Sequence, residues 1–274
     1  MKTLVFTDLD GTLLDCETGS FEPATPGLQW LKEMDIPLIL CSSKTLTEIE
    51  WLREQIGNRH PFVSENGGGI FVSVGYFDEG VLARRGFERR EGYLALRFGA
   101  SYADLRKALV ELREEGFDLR GFGDMTAREV AEITGLDLRG ARMAKDREFD
   151  EPFLFRGDAA ALQCLLGAIQ EKGMRCTEGR FLHLLGDTDK GRAVRTLVDL
   201  YRDRWTAVRT VAIGDSPMDL PMLEAVDLPI LVQRSDGLHA PGIHMPNLVK
   251  AEGIGPRGWN RAVRDLRMGM QFPD

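Results

Sequence analysis

The sequence predicts an α/β protein in which a mainly parallel sheet is interrupted by an inserted α+β segment. Three observations carry this reading. Short apolar runs alternate with amphipathic helical stretches through the first eighty residues, as in α/β units. Near Arg84 the rhythm changes to β runs followed by longer helices, and the first rhythm resumes at Asp187. Strongly polar clusters directly follow apolar runs, where open α/β sheets hold ligands.

In order, Leu4-Val5-Phe6-Thr7 is a buried strand by composition. A helix is expected over 25–34, a strand over 36–41, and a helix over 45–56 with Leu46, Ile49, Leu52 and Ile56 on one face. A third strand at 61–64 precedes the break Gly67-Gly68-Gly69 and a β run at 70–72. Residues 94–98 read as a strand. A helix over 101–115 is opened by Ser101 with Asp104 three residues on, and Leu105, Ala108, Leu109 and Leu112 share a face. A strand at 152–155, a helix carrying Leu162, Leu165, Leu166 and Ile169, and β runs at 174–177 and 180–185 complete the insertion. Then come a helix over 190–203, a strand at 209–213, a helix over 217–225 and a last strand at 228–232. The expected organisation is a discontinuous core, 1–83 and 187–274, around an inserted domain, 84–186. The final forty residues show only a weak pattern.

The 274 residues are 43% hydrophobic and 28% charged, a soluble globular composition. No apolar run approaches the roughly 18–20 residues of a membrane helix. Met1 to Thr7 reaches Asp8 without the apolar stretch of a secretory signal, so a cytoplasmic location is expected. The net charge of −8 disfavours nucleic acid. Of the four cysteines none are spaced for zinc; reduced thiols are expected, with Cys41 and Cys164 packed.

Four polar signals carry chemistry. Asp8-Leu9-Asp10-Gly11-Thr12-Leu13-Leu14 follows the first strand and Ser42-Ser43-Lys44 the second. Lys190 opens a helix in Asp189-Lys190-Gly191-Arg192-Ala193, and Gly214-Asp215-Ser216-Pro217-Met218-Asp219 follows the strand at 209–213. Singly, an Asp-x-Asp is more often a turn, Ser-Ser-Lys a helix cap, and one Lys a solvent-facing residue. Together they resemble the motifs of the haloacid dehalogenase superfamily of phosphohydrolases.

The resemblance implies a Rossmann-like core and four catalytic residues, Asp8, Asp10, Ser42 and Lys190. Asp8 would attack phosphorus; Asp10 would protonate the leaving oxygen and then deprotonate water. Gly11 permits the tight turn between them. Ser42 would hold phosphoryl oxygens. Lys190 would offset the repulsion of two anions, roughly 4 kcal/mol at 4 Å and a dielectric near 20. Mg²⁺ is the expected cofactor, held by Asp8, the main-chain carbonyl of Asp10, Asp215 and, directly or through water, Asp219. Members usually carry Asn just before the last Asp; here Met218 stands there and cannot replace the amide's hydrogen bonds.

The insertion resembles the α+β cap, C2 type, of the Cof-like members. Within that group the resemblance is to the mannosyl-3-phosphoglycerate phosphatase family. It rests on Ser42-Ser43-Lys44-Thr45, Glu65-Asn66-Gly67-Gly68-Gly69, Gly121-Phe122-Gly123-Asp124-Met125-Thr126, residues 147–152 and Gly179-Arg180-Phe181-Leu182-His183. The implied partner is a small phosphorylated sugar or glycerate, with neither nucleic acid nor membrane. Ser43, Lys44, Asn66, Gly67 and Gly68 are candidate substrate contacts in the core, and Asp124, Thr126, Arg142, Lys145, Arg147, Arg180 and His183 in the insertion. Arg142, Lys145 and Arg147 fit a solvated helical face equally well, and His183 a satisfied strand position. The loop from Gly121 to Thr126 is expected to serve a ligand, because two glycines and polar tips make a poor structural element. Glucosyl-3-phosphoglycerate, a broad range of sugar phosphates, and a phosphomutase reaction are alternatives on the same scaffold. A regulatory phospho-acceptor is a further one, against which Asp10 and the long insertion argue. Oligomeric state is not legible.

Overall fold

A computed structural model of the chain describes residues 1–268; the last six residues of the expected core segment 187–274 lie outside it. Its strands are β1 (Lys2–Thr7), β2 (Leu38–Cys41), β3 (Phe62–Ser64), β4 (Gly69–Ser73), β5 (Glu88–Arg90), β6 (Tyr93–Arg97), β7 (Leu119–Gly121), β8 (Asp150–Phe155), β9 (Arg175–Glu178), β10 (Leu182–Leu185), β11 (Val208–Gly214), β12 (Leu228–Gln233) and β13 (Val249–Ile254). Nine of them form one sheet in the order β13-β12-β11-β1-β2-β3-β4-β6-β5. The six strands from β13 to β3 are parallel, and β4, β6 and β5 continue antiparallel. The α/β class read from the sequence is therefore the observed one.

β1 is central and apolar on both faces because successive side chains alternate. Leu4 and Phe6 pack with Val194, Leu197 and Tyr201 of the helix Lys190–Arg204. Val5 packs on the opposite face with Leu31, Ile49, Leu52 and Trp259, from the helices Thr25–Glu33, Leu46–Ile56 and Pro256–Arg267. Helices thus cover both faces, and the C-terminal edges of β1, β2, β3 and β11 are left for loops.

β5 and β6 fall beyond residue 84, where the insertion was expected to begin, yet they extend the large sheet from β4. Leu94 is buried with Ile70 and Val72 in the core, which is why this edge forms. The second sheet is antiparallel, β7-β8-β10-β9. One face takes the helices Tyr102–Glu114 and Ala159–Glu171, with Leu105, Leu109, Leu165 and Ile169 packed on Phe153 and Leu184. Leu165 and Ile169 point inward one turn apart, so the neighbouring Cys164 is exposed rather than packed as expected; Cys41 is buried.

The last forty residues add elements that their weak pattern did not show. β12 is not the last strand: β13 pairs with it, and the helix Pro256–Arg267 follows with Trp259, Ala262 and Val263 buried. β13 was hidden because only Ala251 among its six residues is buried, leaving no apolar run to read. The helix begins at Pro256, a favoured first position.

Candidate active site

β1 ends at Thr7 and delivers Asp8 to the strand edge, where its N–H donates to the Ile213 carbonyl of β11 at 2.9 Å. β11 in turn delivers Asp215 beside it. Gly11 has φ of +81°, and a Cβ there would stand 2.7 Å from Asp215 Oδ2, so the turn is closed to other residues on both counts. Lys190, first residue of its helix, is buried and places Nζ 2.6 Å from Asp8 Oδ1 and 2.7 Å from Asp219 Oδ1.

Asp219 is fully buried and its second oxygen is also occupied. Oδ2 accepts the N–H of Asp215 at 3.1 Å, and the N–H and hydroxyl of Ser216 at 3.2 Å each. Thr12 Oγ1 donates to Asp215 Oδ1 at 3.2 Å. Carboxylate oxygens of Asp8, Asp215 and Asp219 lie within 4.8 Å of one another. Three acids face a single ammonium here. Burial first, and then Asp219, push the Asp8 carboxyl up to about 7 against the pull of Lys190. Burial, Asp219 and Asp8 push Asp215 up to about 8. For Lys190 burial opposes the charge, but Asp219 and Asp8 outweigh it and hold the pKa above the ordinary value.

Such repulsion suits a site completed by a cation. Asp8 and Asp215 each retain one oxygen outside the hydrogen bonds just described, whereas both oxygens of Asp219 are engaged. The donor set therefore fits a hard divalent ion held by Asp8 and Asp215, with Asp219 orienting Lys190 and the Asp215–Ser216 backbone.

Asp10 stands apart. Its carboxylate, half exposed, meets Lys44 Nζ at 2.9 Å, and Lys44 also faces Glu48 at 3.8 Å. Asp10 adds no side-chain oxygen to the three-carboxylate group. Ser42 is buried and its Oγ accepts the Lys44 N–H at 3.1 Å, so the hydroxyl proton is left to donate.

Residues 5–89 match the family described as haloacid dehalogenase-like hydrolase. A glucosyl-3-phosphoglycerate/mannosyl-3-phosphoglycerate phosphatase from Methanococcoides burtonii is 46% identical over 268 residues, 97% of each chain. A mannosyl-3-phosphoglycerate phosphatase from Pyrococcus furiosus is 36% identical over 85% of this chain and 91% of its own. The chain belongs to the haloacid dehalogenase-like hydrolases. It is a phosphatase of that family. The fold agrees: the sucrose-phosphatase of Synechocystis, solved with sucrose and phosphate, superposes with a TM-score of 0.64 at 13% identity, covering 97% of this chain and 99% of its own.

In this hydrolase the remaining expected contacts divide into two groups. Asn66, with φ of +56°, donates through Nδ2 to Asp150 Oδ2 at 2.9 Å, and its buried Oδ1 has no partner among the described residues. Asp150 also receives His183 Nδ1 at 2.8 Å, so a core loop and β10 meet on one carboxylate. Arg147 donates to the Ser43 carbonyl at 2.7 Å and lies 3.5 Å from Asp150. Of these residues Asn66, whose N–H donates to the Ser42 carbonyl at 2.9 Å, and Arg147 contact the Ser42–Lys44 loop directly.

The second group is held elsewhere. Asp124 pairs with Arg106, and with Arg113 at 3.0 Å, and accepts the Gly121 N–H at 3.0 Å. Thr126 caps the helix Ala127–Thr134. Lys145 Nζ donates to the Phe122 and Met125 carbonyls, closing the same loop from below. The polar groups of the Gly121–Thr126 loop are thus engaged largely by neighbouring side chains, Arg106, Arg113, Glu129, Lys145 and Glu151. Arg180 donates to the carbonyls of Thr134 and Ile133, and Arg142 is exposed. Gly68 gives its N–H to the Glu65 carbonyl at 3.0 Å rather than to an anion. Gly67 and Gly68 serve close approach: a Cβ would stand 2.2 Å from the Asp189 carbonyl oxygen and 2.2 Å from Phe149 Cβ respectively.

Four site residues escaped the sequence reading. Thr12 lies inside the first motif string, and Glu48 belongs to the capping box of the helix Leu46–Ile56. Glu65, fully buried, accepts the N–H groups of Glu148, Phe149 and Asp150. Asp150 lies within the stretch 147–152 that carries the resemblance, but only the meeting of two segments reveals its contacts.

Proposed function

We propose that the protein hydrolyses the phosphate monoester of a glycosylated 3-phosphoglycerate, mannosyl or glucosyl, through a phosphorylated Asp8. The observation that carries it is the Asp8 carboxylate at a strand end, held at 2.6 Å by buried Lys190 beside Asp215 and Asp219. The substrate reading is supported by the named relatives at 46% and 36% identity. The ion the site fits is Mg²⁺, which when bound neutralises Asp8 and a phosphoryl oxygen.

Asp8 Oδ attacks phosphorus, forming the aspartyl phosphate as the ester P–O bond breaks. The leaving oxygen takes its proton from Asp10. Asp10 then takes a proton from water, which attacks the phosphoaspartate and releases phosphate with Asp8 restored. Ser42 Oγ and nearby backbone donate to the phosphoryl oxygens. Lys190 screens the two anions from each other, in a buried position where that screening is strongest. Lys44 pairs with the Asp10 carboxylate; Asp10 takes up a proton from solvent as it leaves that pair, and so reaches the leaving oxygen as the acid.

We assign substrate selection to residues 99–186, around the second sheet. Asn66 Oδ1, from the core, and Arg147, from the inserted segment, adjoin the Ser42–Lys44 loop and suit a sugar hydroxyl and a carboxylate. A phosphate-release panel tests the reading: mannosyl- and glucosyl-3-phosphoglycerate, 3-phosphoglycerate and simple sugar phosphates. Preference for the glycosylated esters is the expected result, and equal rates across the panel would reject it.

A further inference from the structure

Met218 occupies the turn Pro217–Asp219, between the two acids of the last motif, and is half-buried. Its side chain reaches the inserted segment. Met218 Sδ lies 2.6 Å, and Cε 3.7 Å, from the point that a Cβ on Gly179 would occupy. Gly179 is the tip of the β9–β10 hairpin, where its N–H donates to the Phe181 carbonyl at 2.9 Å. It does not have a positive φ, so the missing side chain supplies space rather than backbone freedom.

The hairpin is tied down on three sides. Arg180 donates to the carbonyls of Thr134 and Ile133 at 2.7 and 3.1 Å. The Phe181 ring meets Phe122 edge-on with centroids 5.1 Å apart. Arg175, at the start of β9, pairs with Asp187 at 3.0 Å and Asp189 at 3.3 Å, directly before Lys190. The Arg180 and Phe181 contacts fix the tip within the inserted segment, and the Arg175 pairs tie the hairpin's base to the start of the Lys190 helix, so the tip meets Met218 as part of a braced unit. A thioether suits the contact: it is unbranched, adaptable and asks for no hydrogen-bond partner.

We propose that Met218 and Gly179 form the seat on which the inserted segment closes over the acidic cluster, and that this contact selects large glycosylated esters over small ones. A glycosylated substrate must touch both sheets, so its turnover depends on their register; a small ester needs the core alone. The selectivity rests on the substrate reading above.

The test is a double-variant cycle on the full-length enzyme with Mg²⁺. Gly179→Val is expected to lower kcat/KM for the glycosylated 3-phosphoglycerates about 10-fold or more while changing p-nitrophenyl phosphate hydrolysis less than about 2-fold. Met218→Ala, added to Gly179→Val, vacates the space and is expected to restore most of that loss. Equal losses on both esters, no loss on either, or failure of Met218→Ala to restore would each overturn the seat. If Gly179→Val lowers Tm enough to unfold the enzyme, Gly179→Ala carries the same readouts. A wild-type enzyme that ignores the glycosylated esters overturns the substrate reading; one that turns them over, with Gly179→Val indistinguishable from it, overturns the seat alone.

Discussion

Trp259 Nε1 donates to Thr7 Oγ1 at 3.0 Å, and both residues are fully buried. Thr7 Oγ1 donates onward to the Asp8 carbonyl at 2.7 Å. The helix Pro256–Arg267 thus reaches the Asp8 backbone through one hydroxyl. Gly255, at the start of that helix, approaches the Gly11 carbonyl as well: a Cβ on it would stand 3.3 Å away. Thr7→Val leaves the indole N–H unpaired in the core and is expected to cost about 1–3 kcal/mol. Combined with Trp259→Phe, the loss should fall short of the sum by about 0.5–3 kcal/mol. Urea denaturation measures this; strictly additive losses would show that the two residues are not coupled.

Asp8→Asn is expected to lower phosphate release by at least about 10³-fold while leaving the fold intact. Retained turnover would reject covalent catalysis at Asp8. Lys190→Met should fail differently, because it leaves Asp8 and Asp219 buried without their cation; a destabilisation of about 3–5 kcal/mol accompanies the loss of rate. Circular dichroism melts separate the two variants.

Mg²⁺ is expected to raise Tm, by binding the folded state alone, and to restore activity after chelation. Asp215→Asn should abolish the Tm shift, since Asp215 keeps an oxygen outside the protein's own hydrogen bonds. An equal shift in that variant would move the ion away from Asp215.

The Glu65 carboxyl predicts a pH dependence. Burial, ahead of the opposing pull of Arg147 and of the backbone N–H donors, pushes it up to about 8. Between its ordinary value and about 8 the folded state keeps a proton that the unfolded chain has lost. Stability from this group is therefore present at low pH and falls as pH rises through that window. Glu65→Gln, which keeps a neutral side chain at the 148–150 backbone, should flatten the curve there. An unchanged slope would assign the dependence to other groups.

Asp124→Asn separates a structural from a substrate role. With Arg106 and Arg113 as its partners, the expected outcome is a lower Tm with KM unchanged. A selective rise in KM would return the Gly121–Thr126 loop to the substrate.

The strand ends that carry the candidate site were legible because each motif abuts its own apolar run. Asp8, Ser42 and Asp215 follow β1, β2 and β11, and parallel pairing of those strands brings their ends together. In the insertion the main helices and strands were legible from pattern, but the roles of its polar residues were not. Thr126 and Lys145 look like ligand groups in a string, and only the folded loop reveals that one caps a helix and the other fills two carbonyls. β13 was missed because an edge strand needs few apolar residues.

Local pattern alone thus determined the α/β class and placed Asp8 and Asp215 at strand ends, because these depend on strand period and on which residue ends a strand. The tertiary structure decided the partners: Asp10 with Lys44, Asn66 with Asp150, Met218 against Gly179 and Trp259 under Thr7. Each pair joins segments at least 34 residues apart in sequence. Hydrogen bonds and van der Waals contacts act over a few ångströms, so which distant groups satisfy one another is set only when the chain packs.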